Sequence, residues 1–271
     1  MNTRITVMQS AAFKSVPLLA ALLSCCLGFS SAFALTGTIN GLAADGQADQ
    51  VGAVKSVSNL TALHDRVGNN SADGKQTSVI HVFQIPSAIL SDPTLRFDTA
   101  TYSTRVSSVN ATTRNADLYG LGYRTSSALL ANDAYVGALD GSSTLLKDNF
   151  IVPSIANYTT LSASGVSVVD YLNAQLTAAR AAGATTAYVF FRISLDSSIN
   201  WQFYQLGMTE AGGVYIPTLA YTTALIAAEP EGTVIMVSSI GGRAGKMLDR
   251  EQRKDRQKTD AEVAKQKAPN A

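Results

Sequence analysis

Charge is scarce in this chain of 271 residues: Asp, Glu, Lys and Arg make up 15%, against about a quarter in ordinary soluble domains. That composition excludes a coiled coil and a highly charged disordered protein. Lysines and arginines so nearly balance the acids that the formal net charge is +1, which removes the electrostatic basis for binding nucleic acid. Cysteine occurs only as Cys25 and Cys26, histidine only as His64 and His81, and tryptophan only as Trp201. Glutamate is almost missing from the middle of the chain, where residues 35–228 hold Glu210 alone. No apolar run approaches the roughly 20 residues needed to cross a bilayer as a helix.

What is present begins with an N-terminal address. Arg4 and Lys14 supply a positive region, Val16 to Leu27 is apolar apart from Pro17 and Ser24, and Ala32-Phe33-Ala34 is a small-x-small cleavage site. Residues 1–34 therefore read as an export signal peptide, with Leu35 the new N-terminus. A second reading takes Leu22-Leu23-Ser24-Cys25 as a lipobox, with a lipidated Cys25 as the first residue and hence a membrane anchor. Cleavage after Ala34 removes both cysteines, so disulfides, thiol nucleophiles and cysteine-ligated metals are excluded from the exported form.

Residues 35–228 carry ten basic and thirteen acidic side chains and read as one β-sandwich domain. Val79, His81, Phe83 and Ile85 alternate with Ile80, Val82 and Gln84, a period of two. Leu95/Phe97, Ala116–Leu121, Leu145–Val152, Tyr188–Leu195, Trp201–Leu206 and Val214–Thr222 extend the series. Clusters such as 91–93, Asp140-Gly141, 196–200 and Gly212-Gly213 punctuate it. Short strands between regular turns predict a mainly β, jelly-roll-like antiparallel sandwich. One short amphipathic helix is expected near 167–182, capped by Ser167 with Asp170 and striped by Val169, Leu172, Leu176 and Ala179, with Gly183 ending it. Residues 229–271 form a charged C-terminal tail, predicted to be poorly ordered.

The order of these segments carries a resemblance. Ala116-Asp117-Leu118-Tyr119-Gly120-Leu121-Gly122-Tyr123-Arg124 is followed by Ala128-Leu129-Leu130-Ala131-Asn132-Asp133-Ala134-Tyr135. Then come Leu145-Leu146-Lys147-Asp148-Asn149-Phe150, Val169-Asp170-Tyr171-Leu172-Asn173 and Tyr188-Val189-Phe190-Phe191-Arg192-Ile193-Ser194. Over about residues 75–225 this resembles exported bacterial proteins that often end in a PEP-CTERM sorting signal. More distantly it is similar to DNRLRE-type carbohydrate-binding β-sandwich modules. The resemblance implies a sandwich and brings no catalytic signature. The C-terminus departs from the sorting pattern: Glu229-Pro230-Glu231 precedes only the short run Thr233–Ile240, then Arg243 and Lys246. It is either a degenerate signal or the end of a released protein.

Catalytic constellations are weak. His64 and Asp65 are adjacent, and neighbouring side chains diverge, so they do not make a triad. Two histidines without zinc-ligand spacing do not make a zinc site. Glycoside hydrolysis needs paired carboxylates across a cleft, and here the acids are aspartates in turn-like or strand-edge contexts. Asn69-Asn70-Ser71-Ala72-Asp73-Gly74 offers oxygens for calcium without the spaced acidic pattern of a calcium loop; no other cofactor is expected. The Gly-rich pieces lack the lysine of a phosphate loop. Tyr119, Tyr123, Tyr135 and Trp201 are the ligand-binding candidates, because sugars stack on aromatic faces, with Arg124 and Asp117 as hydrogen-bonding partners; the competing role for the rings is core packing. The expectation is a non-catalytic exported protein of the cell surface or extracellular matrix, structural or binding extracellular polysaccharide. The alternative is an accessory domain or divergent enzyme of polysaccharide degradation.

Overall fold

The computed structural model describes residues 34–226 apart from 59–60, 70–73, 111 and 139. The export signal up to residue 33, the tail after 226 and residues 70–73 of the calcium-loop reading lie outside the described residues.

The chain is mainly β and every ladder is antiparallel. Its elements are β1 (Thr36–Asn40), β2 (Gly46–Val51), β3 (Val54–Ser58), β4 (His64–Gly68), β5 (Gln76–Gln84), α1 (Ser87–Ser91), β6 (Leu95–Asn110), β7 (Ala116–Arg124), β8 (Thr144–Ile151), β9 (Thr160–Ser164), α2 (Val166–Ala181), β10 (Tyr188–Leu195), β11 (Phe203–Gly207) and β12 (Thr218–Leu225). Strand order is β1-β12-β6-β11-β4-β5-β10-β7-β8, with the β2–β3 hairpin on β5 and β9 on β6.

The 16-residue β6 joins the two parts of this sheet. Its first half pairs with β12 and β9, its last residues with β11. The ring of Tyr102 on β6 stacks on Phe191 of β10, with centroids 4.7 Å apart and planes 3° from parallel. Those strands are four steps apart in the sheet, about 19 Å if it were flat. The sheet therefore curls over itself, and its inner faces bury a core that includes Phe83, Phe97, Tyr102, Leu118, Phe150, Phe191, Leu206 and Leu219. β5 is covered on both faces: Val79 and Phe83 enter this core, while Ile80 and Val82 pack with Ala48, Leu121, Ala134 and Phe190 in a second cluster.

Helix α2 lies on the main core through Val168, Tyr171, Leu172, Leu176 and Ala179. Its N-cap is Gly165 at φ 99° with no side-chain cap, so Ser167, expected as the cap, sits inside the first turn instead. Gly183 does end it, at φ 66°. Three side chains tie α2 to the sheet. Tyr171 donates its hydroxyl to the carbonyls of Leu121 (2.8 Å) and Phe190 (3.1 Å), at the irregularity between β7 and β10. The Asn173 amide bonds both the N–H and the carbonyl of Phe97, each at 2.9 Å, and so continues the ladder along the edge of β6. Arg180 donates to the carbonyls of Ile89, Leu90, Asp92 and Leu95, gathering the C-terminal end of α1, a helix not anticipated from the sequence.

Candidate functional site

The four aromatic candidates separate into three places, with Tyr123 beside α2 against the main core. Tyr119 on β7 and Tyr135 face the guanidinium of Arg192 on β10, whose carbon lies 4.9 and 5.0 Å from the two ring centroids. Arg192 also donates to Asp140 Oδ2 (2.6 Å), Ser143 Oγ (3.1 Å) and the Asp133 carbonyl (3.3 Å). Burial alone would raise the Asp140 pKa, but hydrogen bonds from Ser142 and the Arg192 charge outweigh it and bring it down to about 2. Arg124 forks onto the Asp133 carboxylate and lies 4.3 Å from the centre of the Phe190 ring. These contacts clamp the 125–143 segment over the outer face of the sheet.

Tyr119 is consequently buried and offers no ring face to a ligand. Its hydroxyl donates to Asp117 Oδ2 (3.2 Å) and the Ala138 carbonyl (2.9 Å), and burial pushes the phenol pKa well up. Asp117 is buried within β7 rather than at a strand edge. Desolvation raises its pKa to about 6 against a hydrogen bond from the Asn149 N–H. Tyr123 and Tyr135 are half-buried, and the Tyr123 N–H donates to Gln175 Oε1 on α2 at 2.8 Å. Tyr119, Tyr135, Arg124 and Asp117 are packing and anchoring groups in this arrangement.

Trp201 is different. It is 59% exposed, in the turn before β11, with φ 56°. Tyr158, which sequence reasoning missed, is 61% exposed with φ 63°. Left-handed backbone costs roughly 1–2 kcal/mol in a residue with a Cβ, and neighbouring amides hold it here. Asn110 Nδ2 donates to the Trp201 carbonyl (3.2 Å) and the Val109 N–H donates to Asn157 Oδ1 (2.8 Å). The Thr113 N–H donates to Gln202 Oε1 (2.9 Å). Asn110 ends β6, with β11 paired on one edge; on the other edge the Val106 N–H bonds the Thr159 carbonyl. The Trp201 and Tyr158 backbones thus flank the tip of one strand, about two strand spacings or ~10 Å apart. Asn110, Asn157, Asn200 and Gln202 supply neutral donors and acceptors around them. Tyr158 carries no periodic signal, since it lies in the turn before β9, and only its placement beside β6 reveals it.

Neither histidine joins a nucleophile–base–acid array. His81 is fully buried, its Nδ1 2.6 Å from the Tyr102 hydroxyl, and desolvation lowers its pKa to about 3, so it stays neutral. His64 packs edge-on against Tyr215 with centroids 5.1 Å apart. Among the described residues no group of three or more His, Asp or Glu is placed to hold a metal ion. No protein-family model matches the chain, and no curated protein matches it either.

Proposed function

We propose that this is an exported, non-catalytic glycan-binding protein of the cell surface or extracellular matrix, and that its ligand docks at the end of the sandwich carrying Trp201 and Tyr158. The observation behind this reading is the pair of exposed rings, each on a left-handed backbone held by side-chain amides. Strain of this kind persists only where surrounding structure imposes it, and it concentrates at ligand-binding positions. The apolar C–H face of a pyranose stacks on an aromatic ring, while amides bond its hydroxyls. The carboxamides nearest the rings carry no charge, which suits a neutral saccharide better than a uronate or sulfated one.

A glycan array probed with the full-length protein tests this. Trp201→Ala and Tyr158→Ala should each weaken binding by about 1–3 kcal/mol, roughly 5- to 150-fold in Kd. Tyr119→Phe should leave binding unchanged. Because Trp201 is the sole tryptophan, titration with a bound glycan should change the intrinsic fluorescence. Binding that survives loss of both rings refutes the assignment of the site.

A further inference from the structure

The outer face of β4, β11 and β6 carries two arginines that end on no protein acceptor. Its outward positions are His64 and Arg66 on β4, Phe203 and Gln205 on β11, and Arg105 and Ser108 on β6. Gln205 stands beside Arg66 on one side and Ser108 on the other. Gly207 stands beside His64, and Leu206 pairs with Val106, which brings Arg105 to the far side of Gly207. A Cβ on Gly207 would lie 2.7 Å from Tyr215 Cβ, so the glycine lets Tyr215 sit directly on β11. The Arg105 guanidinium carbon is 5.5 Å from the Tyr215 ring centre, and His64 meets the same ring edge-on at 5.1 Å. The Arg66 guanidinium carbon is 4.9 Å from the Phe203 ring centre. Two strands and one side-chain step separate the arginines, about 12 Å at the backbone.

Arg124, Arg180 and Arg192 all end on carboxylates or carbonyls. Arg66 and Arg105, both half-buried, have neither among the described residues, and the Nε of each is buried without an acceptor. The acids of this region are turned away from the face. Asp65 is fully buried on the inner side of β4. Asp45 is 1% exposed and accepts from the Thr209 N–H (3.0 Å) and hydroxyl (2.9 Å). Glu210, in the turn leading to Tyr215, pairs with neither arginine. Between the arginines, Gln205 Oε1 accepts from Ser108 Oγ at 2.8 Å, which leaves the Nε2 amide as a further donor. A guanidinium resting on an aromatic ring is already partly desolvated and held in place, so it loses little freedom when it pairs with an anion. The face therefore presents donors and positive charge, with no acid at its own outward positions.

We infer that this face is a second binding surface, which takes an extended acidic polysaccharide: its carboxylate or sulfate groups pair with Arg66 and Arg105, while Gln205 and Ser108 bond its hydroxyls. The planar fork of arginine donates two parallel bonds to such groups. Three adjacent strands suit a long chain lying across them. Single-stranded nucleic acid would need open ring faces for its bases, and the guanidiniums lie over those of Phe203 and Tyr215. Two cations also neutralise few phosphates, the main source of nucleic-acid affinity. The surface uses neither Trp201 nor Tyr158, so it stands or falls separately from the neutral-glycan reading.

Binding of the full-length protein to immobilised polygalacturonate and dextran sulfate, read against uncharged dextran and an oligothymidylate, tests this. At least one acidic polymer should be bound at low ionic strength and released as salt rises. Arg66→Gln and Arg105→Gln should each weaken that binding about fivefold or more. Arg96→Gln removes another exposed cation of β6 and should change it by less than about twofold. Absence of binding to both acidic polymers overturns the proposal. So does a loss in Arg96→Gln equal to that in the other two, since that marks a general charge effect. Tighter binding of the oligothymidylate, lost in the same variants, overturns the choice of a polysaccharide. Should one of the two variants fail to fold, the other and the wild-type comparison still decide the matter.

Discussion

Replacing Arg192 with Leu removes a cation that the fold has no means of rehydrating. The side chain is 1% exposed and Asp140 is 8% exposed, so deletion strands a carboxylate in a nearly dry place and opens a gap between Tyr119 and Tyr135. Breaking a buried pair from one side costs about 3–5 kcal/mol; the lost cation–π contacts fall within that range. For a body of this size each kcal/mol lowers Tm by about 2–4 °C, giving a loss of roughly 6–20 °C. Arg192→Lys keeps the charge but not the planar fork that reaches Asp140, Ser143 and the Asp133 carbonyl together, and should fall between. Thermal unfolding followed by circular dichroism, with Asp140→Asn and the double variant to complete a cycle, measures the coupling. An Arg192→Leu variant melting within about 2 °C of wild type would refute the reasoning, because the guanidinium would then not be the anchor of the 125–143 segment.

Other consequences are equally accessible. A Cβ on Gly120 would lie 2.4 Å from the Tyr171 ring, so Gly120→Ala should cost about 1–3 kcal/mol through overpacking, and pairing it with Tyr171→Leu should recover part of that loss in urea denaturation. Stability should also peak in mildly acidic solution. Asp45 and Asp117 hold their protons more tightly folded than unfolded, with pKa values raised to about 7 and about 6, so their contribution is full below about pH 4 and is lost as pH rises through those values. Asp140, depressed to about 2, contributes above about pH 4, and its contribution is lost as pH falls toward 2. Melting temperatures across pH should therefore pass through a maximum near pH 4–5, and a monotonic rise to pH 8 would contradict these assignments.

Alternation made β5 and β10 legible in the sequence, because their inward residues are large and apolar. The same test passed over residues 98–110 of β6, where the outward positions are Thr99, Thr101, Ser103 and Arg105 and the inward ones include Ala100 and Thr104. The hydropathy contrast there is too small to show a period. β2 was hidden for another reason: Gln47 and Asp49 are buried. Gln47 donates to Asp49 (2.7 Å), Ser58 donates to it (2.5 Å), and Lys75 pairs with it at 2.8 Å. Polar groups satisfied by distant partners look like a loop when read singly. The stripe of α2 was readable, whereas its cap was not, since Gly165 at positive φ takes the place expected of Ser167.

The site divides in the same way. Tyr119 lies on the face of β7 opposite Leu118, and the cover over that face is an irregular segment whose apolar residues, among them Leu129 and Ala134, follow neither the period of a strand nor that of a helix. Trp201 was legible as a candidate from its residue type. Its exposure, and its neighbour Tyr158, depend on how the turns before β9 and β11 meet at the tip of β6, which no local pattern encodes.

The most direct test of the glycan-binding reading is the affinity of the full-length protein for array-identified neutral glycans, compared with Trp201→Ala and Tyr158→Ala under conditions where both variants melt like wild type. The account predicts saturable binding that quenches or shifts Trp201 emission and weakens roughly 5- to 150-fold in each variant. No binding to any neutral glycan, or binding untouched by loss of either ring, would contradict it.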